Sequence, residues 1–195
     1  QLLTTMAGTI ADQQQFQVVD TPRVLGIMLD GCGSTRCMVA FCVREAQKLW
    51  FRIRHLLCHQ SLPAALQVQR FYQTVAASCT YGAGLWTPSA TLASLLEAQE
   101  MRWLRCMSGL HRKQGEEWVP FYRRRRAAAV QLQNLCGRWT IWHRVCRAVH
   151  GFHGHVARHA DIPPAAPLAW RGADWWKCVQ ILHESGFDNG ELWRH

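Results

Sequence analysis

The sequence lacks the pairings on which most catalytic and metal chemistry rests. It has no Asp-Asp pair; its six Asp stand apart at Asp12, Asp20, Asp30, Asp161, Asp174 and Asp188. Two-metal phosphoryl transfer needs paired carboxylates that hold the ions about 3.5–4 Å apart, so no such site is expected in this chain. No C-x-x-C spacing occurs among the nine Cys, and the odd count argues against a disulfide scaffold. The opening residues carry no secretory segment, so reduced thiols inside a cell are expected. Gly31-x-Gly33 is too short for a phosphate-binding loop, and no internal repeat is visible. The longest uncharged stretch, residues 71–96, could span a bilayer by length, but Gly82, Gly84 and Pro88 interrupt it. A buried helix suits it better than a membrane span. The chain opens on Gln rather than Met, the opening expected of a segment inside a longer reading frame.

What is present is positive charge, unevenly placed. Residues 1–100 hold 7 Lys/Arg against 6 Asp/Glu, residues 101–160 hold 12 against 2, and residues 161–195 hold 3 against 5. One stretch of the chain thus carries the excess that makes the whole +9. A field that concentrated favours a polyanion, nucleic acid before an anionic membrane surface. Ten Trp and an apolar fraction near half supply a real core.

Periodicity predicts a mainly α fold with a short strand segment at its start. Residues 16–19 and 24–29 read as strands parted by Asp20-Thr21-Pro22. Residues 35–59 have helical spacing, with Met38, Cys42, Leu49, Ile53 and Leu56 on one face. Ser61-Leu62-Pro63 is a helix start leading to about Cys79, and Thr87-Pro88 a second, with Thr as N-cap. The latter helix has Leu92, Leu95, Leu96, Trp103, Leu104 and Met107 as its apolar face, Arg102 and Arg105 in its last turns and Gly109 beyond. A polar link over 111–117 precedes the run Phe121-Tyr122-Arg123-Arg124-Arg125-Arg126, and residues 127–135 are strong helix formers; Gly137 interrupts, and Trp139, Trp142, Val145, Cys146 and Val149 resume a helical face up to Gly151. Pro163, Pro164 and Pro167 mark an extended link before a short amphipathic element at 175–182. The expected organisation is 1–33 strands, 34–112 a helical bundle, 113–160 basic helices, and 161–195 a Pro-rich link with a short helix.

The candidate binding residues are cations. Arg44, Lys48 and Arg52 recur every four residues and stack in one ridge, which fits a solvated helix surface and a phosphate-contacting surface equally. Arg112, Lys113, Arg123, Arg124, Arg125, Arg126, Arg138, Arg144 and Arg147 make a second basic set. Tyr122 beside the arginine run can stack on unpaired bases or anchor its helix, whereas Phe121 fits the core better. The nearest metal-type cluster is Cys146, His150, His153, His155 and His159, but it lacks the paired spacing of zinc sites. A set of surface or hydrogen-bonded histidines accounts for it more simply.

The order of several short motifs resembles the region downstream of the catalytic palm in LINE-type (non-LTR) retrotransposon reverse transcriptases. Val24-Leu25-Gly26 stands where that family has an aromatic-Leu-Gly strand end. Arg44-Glu45-Ala46, residues 66–72 and Tyr81-Gly82-Ala83-Gly84-Leu85-Trp86 are similar to its thumb helices. Residues 96–105 (LEAQEMRWLR) look like its Leu-Glu…Glu-x-Arg-x-Leu-Arg helix. Phe152-His153-Gly154-His155-Val156-Ala157-Arg158 and Arg171-Gly172…Trp175-Trp176 resemble later elements. Val24 and Phe152 depart from the family pattern, which has an aromatic and a Trp there; a decayed copy would drift in the same way.

The resemblance implies the end of a palm, a thumb-like bundle and basic helices that grip RNA and DNA as template-primer or target duplex. It places the catalytic Asp pair and its Mg in a palm upstream of Gln1, so this chain would be no enzyme on its own and would hold no cofactor, while its parent would be an RNA-directed DNA polymerase. Its partners would be that palm and nucleic acid, and its working place the nucleus if the retrotransposon complex is active. The other readings are an inactive translated remnant, a membrane-associated protein spanning at 71–96, and a small zinc module.

Overall fold

The computed structural model describes residues 23–24, 27–28, 35–59, 61–135, 137 and 139–158. The fold there is mainly helical. Two strands of two residues each, β1 (Arg23–Val24) and β2 (Ile27–Met28), pair antiparallel, Arg23 opposite Met28 and Val24 opposite Ile27. Of the strand expected over 24–29 only Val24, Ile27 and Met28 are among the described residues, and a continuous strand is not supported by them. Leu25-Gly26 falls between the two pieces, and Gly is a turn signal inside an apolar run. So short a ladder has no stability of its own, and no palm-type strand segment is supported among the described residues. The strand expected at 16–19, the Pro-rich link and the element at 175–182 lie outside them.

Helix α1 (Thr35–Leu57) is the long spine. It buries Met38, Val39, Cys42, Ala46, Trp50 and Leu57, while Leu49 and Ile53 are half-buried. Leu56, expected on the core face, is 54% exposed. The buried stripe steps in fours through Cys42, Ala46 and Trp50, and the bulk of Trp50 turns the helix that way.

Helix α2 (Ala64–Phe71) begins after Pro63, widens into a π-helical segment (Tyr72–Ala76) and ends in a short turn, α3 (Ala77–Cys79). The wider turn fits with burial of Phe71, Tyr72, Val75, Ala76 and Cys79 in close succession. A left-handed Gly82 (φ 70°) then leads into a 3₁₀ turn (Ala83–Leu85). The uncharged stretch 71–96 is thus broken into several pieces, and among the described residues no helix is long and apolar enough to cross a membrane.

Helix α4 (Ala90–Met107) is capped by Ser89, whose hydroxyl accepts from the Leu92 N–H at 3.1 Å, rather than by Thr87. Thr87-Pro88 sits one step earlier, with Pro88 buried. The helix ends before Gly109 in the left-handed region, as its sequence predicts. Helices α5 (Trp118–Leu135) and α6 (Ile141–Arg158) follow, separated by Gly137 at φ 72°. The helix α6 runs through Gly151 instead of stopping there.

One core joins these elements. Trp50, Phe71 and Trp103 pack ring against ring, with centroids 5.8–6.4 Å apart, and Tyr72 lies edge-on to Phe71 at 4.9 Å. Leu96 and Leu104 from α4, Ala129 and Leu132 from α5, and Ile141, Val145 and Val149 from α6 complete it. Helix α6 crosses the 3₁₀ turn at Gly84. A Cβ there would lie 2.9 Å from the Cβ of Phe152, so only glycine permits the approach.

Candidate nucleic-acid interface

The α1 ridge is present as the spacing predicts, with Arg44, Lys48 and Arg52 exposed. Lys48 bonds Glu45 one turn earlier at 2.7 Å, and Arg44 lies over the Phe41 ring at 5.6 Å. The Lys48 ammonium holds the Glu45 carboxyl below the ordinary range. Beside the ridge runs a groove of about 1160 Å³ between α1 and α4. Val39, Val43, Leu92 and Leu95 line it, and Arg36, Arg44, Lys48 and Arg102 bring the charge; no Asp or Glu is among the described lining residues. Arg36 carries no signal in the sequence, and Arg102 reads there only as a helix-end cation, because each is a single charge whose neighbour across the groove is remote in the chain.

The arginine run divides by function. Arg124 is half-buried and forks onto Glu116, Nε to Oε1 at 3.1 Å and Nη2 to Oε2 at 2.7 Å, while Nη2 also donates to the His111 carbonyl. The Arg124 guanidinium and the Lys113 N–H, which donates to Glu116 Oε2 at 2.9 Å, hold that carboxyl below its usual range. Arg125 donates from Nε to the Arg105 carbonyl at 3.1 Å, satisfying a C-terminal carbonyl of α4. Arg123 and Arg126 are exposed. The run therefore gives two structural cations and two outward ones, because a helix turns 100° per residue and four consecutive side chains cannot share a face.

At the start of α5 the aromatic residues behave differently from one another. Phe121 is buried, with Arg124 and Arg125 over its ring. Tyr122 is exposed and stacks on Trp118, with centroids 5.7 Å apart and planes 25° apart. Arg112 lies 4.3 Å from the centroid of Trp118. Arg112 and Lys113 are both exposed in the preceding loop. The spacing Trp118, Tyr122, Arg126 at steps of four was available in the sequence as a sign of this stripe.

Arg144 and Arg147 on α6 are half-buried. Arg144 lies 5.1 Å from the Tyr72 ring centroid and Arg147 4.8 Å from that of Trp139. Arg138 lies outside the described residues, as does His159. Of the remaining cluster, Cys146 and His150 are buried, His153 is half-buried and His155 exposed. Burial, and then the neighbouring His150, hold the His153 imidazole below its ordinary value. Among the described residues no three His, Cys, Asp or Glu side chains gather to hold a metal ion.

One buried carboxylate went unread in the sequence. Glu100 is fully enclosed; it accepts from the Tyr72 hydroxyl and, at 3.0 Å, from the backbone N–H of Ile141 at the head of α6. Burial raises its carboxyl above the ordinary Glu value, opposed by the Tyr72, Ile141 and Gln133 donors. It ties α4 to the π-helical segment and to α6, and so fixes the helix that carries Arg144 and Arg147. Its place four residues after Leu96 and three before Trp103 puts it on the apolar stripe, the signal by which it could be found.

No known family's model matches this chain, and no match was found among curated proteins or solved structures.

Proposed function

We propose that this chain is a non-catalytic nucleic-acid grip, the thumb and post-thumb part of a LINE-type retrotransposon reverse transcriptase, acting on an RNA–DNA template-primer or target duplex. The resemblance in motif order supplies the family. The observation that carries the binding is the imbalance of exposed charge. Residues 101–160 hold only two acids, Glu116 and Glu117. Glu116 is paired with Arg124 at the half-exposed base of the loop, while Arg102, Arg112, Lys113, Arg123 and Arg126 are exposed. Such cations neutralise phosphates and position a duplex without reading its sequence.

The α1 ridge and the α5 face are two separate contact surfaces in this reading. Arg44, Lys48 and Arg52 hold one stretch of backbone, and Arg112, Lys113, Arg123 and Arg126 another. Arg124 and Arg125 act indirectly, by keeping the loop before α5 and the end of α4 in place. Fluorescence anisotropy with a labelled RNA–DNA hybrid tests the proposal. Replacement of Arg44, Lys48 and Arg52 by Gln should weaken binding, as should replacement of Arg112, Lys113, Arg123 and Arg126. A chain that leaves the hybrid unbound at low salt would overturn it.

A further inference from the structure

The geometry points to a stacking site for unpaired nucleobases on the Trp118–Tyr122 ring pair, so that the α5 surface holds single-stranded RNA or DNA rather than duplex alone. This inference rests on the nucleic-acid reading above. Trp118 and Tyr122 are 56% and 51% exposed, an unusual state for two large aromatic side chains in contact. Their planes lie within 25° of each other, the relation of stacked bases, whereas the buried rings of the core meet mostly edge-on.

The pair is held in place beforehand. Phe121, the residue between them in contact, is buried and lies 5.6 Å from the Tyr122 ring and 6.1 Å from that of Trp118. The loop that brings Arg112 over the indole is fastened through Glu116, which accepts from Arg124 and from the Lys113 N–H. A site ordered in advance loses less conformational freedom on binding. Arg124, silent as a phosphate contact, is thereby a positioning residue for this site.

The surroundings choose the occupant. Arg112 lies over the Trp118 ring, and Arg123 and Arg126 are exposed one and four residues beyond Tyr122 on the same helix, which disfavours the cationic ligands that aromatic cages hold. An exposed aromatic face beside guanidinium groups suits a base with its phosphate, and stacking of this kind tolerates any base. Duplex DNA or RNA has its bases already stacked and offers none to the rings. The partner is therefore an unpaired stretch, such as a template overhang or a displaced strand.

The test compares three probes with the full chain: a 12-nucleotide oligothymidine, a 12-nucleotide abasic strand with the same number of phosphates, and a hybrid duplex. Wild type should bind the base-bearing strand about ten-fold more tightly than the abasic one. Trp118→Ala/Tyr122→Ala should lose that preference and keep its affinity for the duplex. Tyr122→Phe, which keeps the ring, should keep the preference. Equal wild-type affinity for the two single strands would overturn the site, as would a double variant that still prefers bases. Duplex binding without base preference would sink this inference alone; failure to bind any probe would sink the nucleic-acid reading with it. A double variant that loses binding to phosphatidylserine vesicles while keeping its base preference would assign the rings to a membrane surface and overturn the site.

Discussion

Removal of the Glu100 carboxylate puts the architecture to a quantitative test. In Glu100→Ala the Tyr72 hydroxyl and the Ile141 N–H both lose their acceptor inside the core. Each buried donor that loses such an acceptor costs about 1–3 kcal/mol. The loss is offset in part because a buried ionisable group is itself costly, so roughly 2–4 kcal/mol remains. With a urea m-value of about 2 kcal/mol per M, the unfolding midpoint should fall by roughly 1–2 M. Glu100→Gln keeps an acceptor for Ile141 and can donate to Tyr72, so its midpoint should stay within about 0.5 M of wild type. The two variants also part with pH. Burial raises the folded carboxyl above its unfolded value near 4.5, so the folded state binds that proton more tightly. The resulting stability is fully present below 4.5 and is lost as pH rises through the folded value. His143 and His153, whose imidazoles burial depresses, act in the opposite sense below 6.5. The difference between wild type and Glu100→Gln cancels them, and wild type should lose stability relative to the variant as pH rises above 4.5. Tryptophan fluorescence during urea unfolding reads all of this. A Glu100→Ala midpoint equal to that of wild type would refute the argument.

Three further outcomes follow from particular contacts. Arg123→Gln/Arg126→Gln should flatten the salt dependence of nucleic-acid binding by about two units on a log–log plot; Arg124→Gln/Arg125→Gln, which removes no direct phosphate contact, should change that slope by less than about one unit and lower the melting temperature by about 2–4 °C. Gly84→Ala should destabilise the fold by about 1–3 kcal/mol in chemical denaturation, because its Cβ would press on Phe152 and the Ala148 carbonyl. Burial pushes the Cys42 thiol up to about 11 and Cys79 to about 12, while Cys37 and Cys106 are exposed. Iodoacetamide at pH 8, followed by peptide mass mapping, should label Cys37 and Cys106 well before Cys42 and Cys79.

Much of the helical frame was legible because helical spacing and end signals are local. The start of α1 at Thr35, the end of α4 before Gly109 and the break at Gly137 all follow from neighbouring residues. What local rules misjudged were rotations and choices decided by packing. Trp50 set the buried face of α1 and left Leu56 in solvent, and Ser89 rather than Thr87 took the cap because Pro88 was drawn into the core. The short ladder at Arg23–Val24 and Ile27–Met28 shows the limit of alternation as a strand signal when a Gly intervenes. For the candidate interface, composition located the basic region but not its outward members. The division of the arginine run depends on Glu116 and on the Arg105 carbonyl, and no spacing within the run announces either. Trp118 lay unread because an exposed tryptophan looks in sequence like any core residue.

The most direct test of the central claim is the affinity of the full chain for an RNA–DNA hybrid across a salt series. If the two cation surfaces together neutralise about six phosphates, log K should fall against log salt with a slope of about −5. A slope near zero, or no binding at the lowest salt, would contradict the account.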